Sequence, residues 1–429
     1  MGGMDEVIVF MNIMCIRIYS WCLFAFLLMV CPSVARAATR EVGRGYAYTN
    51  IKTALAAALP GDTVLVHAGN YKEGNLIIDK SITFLGTGWP ELDGQKKYEV
   101  LSIKADSVTV SGFKVQFSGR ASLDDPGGIK VYDSKYVRIA GNRLYDNFFG
   151  IYLQYSKHCV VRDNIIEAFG TEEQSIGNGI HCWKSDSLQI IANHISGHRD
   201  GIYFEFVTGS LIWRNISEHN IRYGLHFMFS NDDAYITNLF RQNGAGVAVM
   251  FTKSVRMFNN TFEDNWGDAA HGILLKEISD SYIINNRFSG NTSGIYMEGT
   301  SRILVEKNIF RDNGWGMKIQ ASCMDNIIRE NNFVSNTFDI STNGSLVLNT
   351  FDGNYWDKYE GYDLNRDNIG DVPYRPLSLF SVIVEKQPAA MLLFRSFIVT
   401  LLDRSEKIIP TLTPDNFIDK TPIMHMLPL

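Results

Sequence analysis

Two short stretches, GLHFM at residues 224–228 and GVAVM at 246–250, place a histidine and two methionines at matching points of consecutive repeats. Two thioethers and an imidazole make the donor set that a soft ion such as Cu(I) selects, whereas Ca²⁺ and Mg²⁺ want oxygen. His226, Met228 and Met250 are accordingly the first candidate ligands. The competing reading is an adaptable protein-binding surface in which methionines fill gaps. Met424, His425 and Met426 form a second soft-donor group close to the C-terminus, where a disordered tail is the alternative. Asp363, Asn365, Asp367 and Asp371 space their oxygens like a calcium loop, although Asn368 stands where that loop needs glycine. A hydrogen-bonded turn network competes with Ca²⁺ there.

Residues this far apart act together only if a regular scaffold aligns them, and the chain repeats. A glycine followed by a short apolar strand occurs at Gly128, Gly150, Gly179, Gly201, Gly224, Gly246, Gly272, Gly294 and Gly316. An asparagine stands fourteen residues after each of the first eight, from Asn142 to Asn308, and the ninth is Asn332, sixteen residues on. A fixed inner offset with a variable outer gap describes a coil of about 22 residues whose insertions sit at one corner, near 171–177 and 267–270. The first and third residues after each glycine are apolar, as in Ile151/Leu153, Ile202/Phe204 and Val247/Val249, which is the period of a strand with one buried face. Glycine and asparagine at the corners suit left-handed backbone, and stacked asparagines can bond in ladders. The predicted fold is all-β, a right-handed parallel β-helix with coils ~4.8 Å apart.

Second and fourth positions after each glycine then stack into two outward ladders. One runs through Tyr152, His181, Tyr203, His226 and Ala248, and the other through Gln154, Trp183, Glu205, Met228 and Met250 to Lys276 and Glu298. Folding does not require such a face, so it reads as a recognition surface, with His181, Trp183 and Tyr203 as an aromatic wall for a partner. A polysaccharide lyase, epimerase or hydrolase would need paired carboxylates. The ladders offer Glu205 and Glu298, four coils and so roughly 19 Å apart. A non-enzymatic protein is the expectation.

The chain divides into a targeting segment at 1–37, an N-terminal cap with irregular coils at 38–127, regular coils at 128–350, an acidic capping loop at 351–376 and a partner-docking C-terminal segment and tail at 377–429. An apolar run ending in Ala35-Arg36-Ala37 has the form of a cleaved secretion signal. A helix from Asn50 to Leu59 is placed to cover the open first coil. Near the other end, apolar residues at helical spacing interrupted by Pro388, with Phe394, Phe397 and Leu401 among them, suit a partner's groove. Arg395 inside that stretch argues against a membrane span. The net charge of −6 arises from interspersed charges, which disfavours nucleic acid. Cys159, Cys182 and Cys323 remain after the signal, too few and too spread for a disulfide framework.

The signal, the opening ALPGDTVLVHAGNYKEG, the repeated coils and above all YWDKYEGYDLNRDNIGDVPYRPLSLFSVIVE at 355–385 closely resemble the NosD family of periplasmic nitrous-oxide reductase maturation proteins. That resemblance implies a β-helix attached to the inner membrane through an ABC transporter with permease and ATPase subunits. It further implies help in assembling the copper-sulfur centre of nitrous-oxide reductase, with a copper chaperone lipoprotein as donor and Cu(I) held transiently. It assigns no ligands by itself. Asp124-Asp125-Pro126 begins like the Asp-Pro-His signature of alginate epimerases but continues as Gly127-Gly128. A metal-free docking platform and a polysaccharide-active enzyme are the alternatives.

Overall fold

The computed structural model describes residues 37–120, 125–344, 348–394, 396–408 and 417–429. Residues 1–36 of the expected targeting segment, and Asp124 of the Asp-Asp-Pro stretch, lie outside the described residues. From Thr39 onward the chain winds as a right-handed parallel solenoid whose faces are sheets of fourteen, thirteen and twelve strands. One coil reads Tyr223–Met228, then Ala234–Ile236, then Leu239–Arg241, and the next begins at Ala245–Met250 directly above the first. The winding reaches past both ends of the 128–350 run, with strands from Thr39–Val42 to Tyr355–Trp356.

The period-2 pattern explains each face. Leu225, Phe227, Val247 and Val249 are fully buried, and inside the coil Phe240, Phe262, Phe288, Phe310, Phe333 and Trp356 form a continuous stack with centroid spacings from 4.2 to 5.5 Å. Offset aromatic contacts at such spacing add to area burial. The insertions at 171–177 and 267–270 fall at the corner that leads into the twelve-stranded sheet. Cys159, Cys182 and Cys323 are free and buried.

The glycines do a different job from the one their corner position suggests. Gly150, Gly179, Gly201, Gly224 and Gly246 are absent from the left-handed region. A side chain on each would meet the carbonyl oxygen of the matching glycine one coil on, at 2.4–2.7 Å. They are required by close approach of backbones, not by a turn. Left-handed backbone belongs instead to the residue before each asparagine, as at Asp163, Arg214, Thr237 and Lys307.

The asparagines form the expected ladder. Each Oδ1 accepts from both the main-chain N–H and the Nδ2 of the asparagine one coil earlier, for example Asn238 from Asn215 at 2.9 and 3.0 Å. At the ninth coil the ladder passes through Asn331 and not Asn332, because Asn308 donates to Asn331 while Asn332 bonds the main chain of Leu427. A second ladder, from Asn220 through Asn243, Asn265, Asn291 and Asn313 to Asn336, stands five residues behind the first.

Both ends are covered. The helix α1 (Ile51–Ala57) is capped by the Asn50 side chain and buries Ile51, Ala54 and Leu55 against the first coils. At the far end α2 (Leu379–Lys386) packs Phe380 and Val384 on Phe338. Pro388 then opens a short 3₁₀ helix, Pro388–Leu393, before α3 (Phe397–Ile408). The terminal segment from Phe417 returns to the last coil, where fully buried Asp419 accepts from Asn354 N–H, Asn354 Nδ2 and Trp356 Nε1, each at 3.0 Å. Asp419 thus ends the first asparagine ladder. Among the described residues no helix is long and apolar enough to cross a membrane.

Candidate soft-ion site

Strand register places the thioethers together. Glu205 pairs with Met228, Met228 with Met250, and Met250 with Lys276, so the two methionines are direct neighbours ~4.8 Å apart along the stack. Both are half-buried, between a carboxylate on one side and an ammonium on the other. His226 shares their face, paired with Tyr203 below and Ala248 above.

The second-position ladder is a covered seam and not the open face its alternation suggests. Rings of Tyr152, His181, Tyr203 and His226 follow one another at 4.4, 4.9 and 4.9 Å, and each shields the next. His226 is 6% exposed and His181 8%, while Trp183 and Tyr203 stay half-buried. Burial pushes His181 down to about 3, leaving it neutral, and its Nδ1 lies 2.9 Å from Asn178 Nδ2. His198, whose corner position suggests a solvated ring, is fully buried and is pushed down to about 4 by the same cause.

Below His226 lies an ion cluster that no motif announces. Asp200, fully buried at the start of Asp200–Glu205, receives Arg222 through Nε at 3.2 Å and Nη2 at 3.1 Å. The same Nη2 is 3.2 Å from His226 Nδ1, and Asp200 Oδ2 is 3.5 Å from that nitrogen. Arg222 also reaches Glu173 in the first insertion, at 3.8 Å. His226 Nε2 is buried with no partner among the described residues. An unpaired buried nitrogen costs about 1–3 kcal/mol, so it calls for an explanation.

Beside the methionines runs an aromatic strip. Phe206, Phe229 and Phe251 stack at 5.2 and 5.1 Å and are 40–44% exposed. The sequence signal for it is an aromatic residue fifth after each of Gly201, Gly224 and Gly246.

The other candidates are dispersed. Met424 is held by its main-chain bond to Asn368 at 3.0 Å, and His425 and Met426 are exposed on the anchored tail, away from disorder. In the acidic loop Asp363 accepts from the amides of Arg366, Asp367 and Asn368, Asn365 from Asp367, Asp367 from Ile369, and Asp371 from Leu364. The four side chains therefore hold a turn network. Among the described residues no three His, Cys, Asp or Glu side chains gather at metal-binding range. Phe394 packs edge-on against Phe338 at 6.1 Å, while Phe397 and Leu401 are 80% and 53% exposed. Glu298 is engaged with Lys276 at 3.3 Å.

Fold and site together define a right-handed β-solenoid that aligns two half-buried thioethers on one sheet face, with the buried imidazole of His226 on the same sheet. The profile of the family described as periplasmic copper-binding protein (NosD) matches residues 169–361, and that of the right handed beta helix region matches 74–176. A protein of Pseudomonas aeruginosa named probable ABC transporter binding protein NosD is 30% identical, covering 84% of this chain and 87% of its own. A protein of the same name from Stutzerimonas stutzeri is 27% identical over 84% of this chain and 86% of its own. The chain belongs to the NosD family. Among solved structures the mannuronan C-5 epimerase AlgE4 A-module of Azotobacter vinelandii is similar in fold, with a TM-score of 0.45 and 16% identity over 71% of this chain and 90% of that one.

Proposed function

We propose that this protein is a non-enzymatic periplasmic maturation factor that takes up Cu(I) and relays it for assembly of the copper-sulfur centre of nitrous-oxide reductase. The observation that carries this reading is the register pairing of Met228 with Met250 on the strand face that His226 shares. Soft thioethers and an imidazole favour Cu(I) over harder ions. Few ligands, the two thioethers half-buried, suit a cargo that must leave again. Family membership supports copper and an ABC transporter as the working partners. The exposed apolar face of α3 supplies a foot for the permease, which in turn holds its ATPase subunit, and keeps the protein at the inner membrane. A copper chaperone lipoprotein as donor and the reductase as client complete the relay, with Trp183, Tyr203 and the Phe206–Phe229–Phe251 strip as their contact surface.

Replacing both methionines, Met228→Leu with Met250→Leu, keeps volume and removes sulfur. Competition titration of the purified protein with Cu(I) should show binding lost in this variant, with an unchanged thermal midpoint. Unaltered titration would favour instead a metal-free platform that only docks transporter and reductase.

A further inference from the structure

Three consecutive coils leave the twelve-stranded sheet on a phenylalanine held in the left-handed region, with φ of +54° at Phe206, +51° at Phe229 and +53° at Phe251. Bulky side chains rarely adopt that backbone, which favours glycine, asparagine or aspartate. Followed through its main-chain hydrogen bonds, the same rung holds Asp133, Tyr155 and Lys184 before the three and Glu277 and Gly299 after them. Winding therefore does not require a ring at this corner. A strained backbone that carries exposed apolar side chains without a folding need points to binding.

The geometry of the strip selects its occupant. Successive rings lie within 9° and 16° of parallel, so their faces are taken up by one another and their edges meet solvent. A sugar ring packs on an aromatic face, which leaves a glycan without a seat. The corner amides already bond from coil to coil, so a partner strand finds no free edge to extend. A helix fits, because centroid spacings of 5.2 and 5.1 Å match the ~5.4 Å pitch of an α-helix. Laid along the solenoid axis, it sets one apolar turn against each ring, at i, i+3 or i+4, and i+7. Ring edges also favour the sulfur of methionine. The two ends of the strip carry opposite charge, since Lys184, one coil before Phe206, and Glu277, one coil after Phe251, are both exposed. Four coil steps separate them, roughly 19 Å, the length of about thirteen helical residues.

We propose that the Phe206–Phe229–Phe251 strip seats one amphipathic α-helix of a partner protein, which lies along the solenoid axis with an acidic side chain over Lys184 and a basic one over Glu277. The proposal rests on the reading above only in taking a protein partner to dock on this face, and it involves no metal. Met228 and Met250 immediately precede Phe229 and Phe251, so a helix seated here borders the thioether pair.

The test is photo-cross-linking of the full-length protein with p-benzoylphenylalanine installed at Phe229. The probes are the purified copper chaperone, purified copper-free nitrous-oxide reductase and a chito-oligosaccharide, all without added metal. The expected result is an adduct to one of the two proteins, on a helix whose apolar residues recur at i, i+3 or i+4, and i+7. Phe206→Gly with Phe251→Gly should weaken that capture about 10-fold or more. The thermal midpoint of this pair should hold, because glycine suits the corner. Phe206→Asn with Phe251→Asn gives a second pair at home in left-handed backbone, and it should behave alike. An adduct confined to an extended segment, a cross-link to the oligosaccharide alone, or no adduct with either protein overturns the proposal. So does a midpoint lowered by more than about 5 °C in both pairs, which would show that the rings serve the fold. With copper absent throughout, lost Cu(I) binding in the methionine double variant leaves this result standing, and failure of the cross-link leaves that titration untouched.

Discussion

Among single residues, Asp233 carries the clearest energetic signature. Its Oδ1 accepts from Ser210 at 2.8 Å, its Oδ2 has no partner among the described residues, and burial pushes the carboxyl from 3.8 up to about 8. A raised acid is a burden on the folded state, and the sign follows from the proton count. Below about pH 4 both folded and unfolded chains hold the proton and no cost arises. Between about 4 and about 8 only the unfolded chain ionises, so stability falls as pH rises, and above about 8 it levels. Asp233→Asn keeps the acceptor for Ser210 and removes the titration. At pH 7 the variant should be more stable by about 4 kcal/mol, and urea unfolding should show the fall in stability contributed by Asp233 between pH 4 and 7 removed relative to the parent. An equal slope in both proteins would show that Asp233 ionises in place. The sequence hid this residue, because an aspartate in a corner reads as solvated and only the winding reveals that its side chain turns inward.

For whole elements, legibility depended on how local the cause is. The repeat exposed the strand that follows each glycine, since Ile202/Phe204 and Val247/Val249 carry their burial in their own alternation, but not the third strand of each coil, such as Leu239–Arg241. The pairing of Met228 with Met250 followed directly from that register. What alternation cannot encode is what lies over the outward face. Tyr203 and Tyr223 stand 4.9 and 4.8 Å from His226, so a residue on the outer side is nonetheless covered. The handover from Asn332 to Asn331 was likewise invisible, because it depends on a bond to Leu427, 95 residues away. The C-terminal helices show the reverse case. Phe380 and Val384 of α2 are buried while Phe397 and Leu401 of α3 are open, so one helix fastens and the other offers itself. Phe397→Ser combined with Leu401→Ser should abolish co-purification with the transporter permease. The thermal midpoint should barely move, since exposed substitutions typically stay within about 0.5 kcal/mol. Retention of the complex would place the contact elsewhere.

At the scale of the molecule the solenoid is close to one-dimensional, each coil meeting only its two neighbours. Deleting 224–245 removes one complete coil of 22 residues and joins Tyr223 to Gly246, which repeats the natural junction with Gly224. The shortened chain should keep its β-sheet circular dichroism, with a midpoint lower by a few degrees, and should lose Cu(I) uptake because Met250 then faces Glu205. Collapse of the fold would show that coils are not interchangeable. Independence of that kind has one exception, at the end sealed by Asp419. A polypeptide emerges N-terminus first, so the acceptor that finishes the asparagine ladder arrives after every coil it closes. Until then every newly wound coil leaves its uppermost amides waiting, and a chain cut short before Asp419 never stops waiting. Such a fragment would be well folded along nearly all its length and still present an unfinished rung, inviting another chain's edge to complete it.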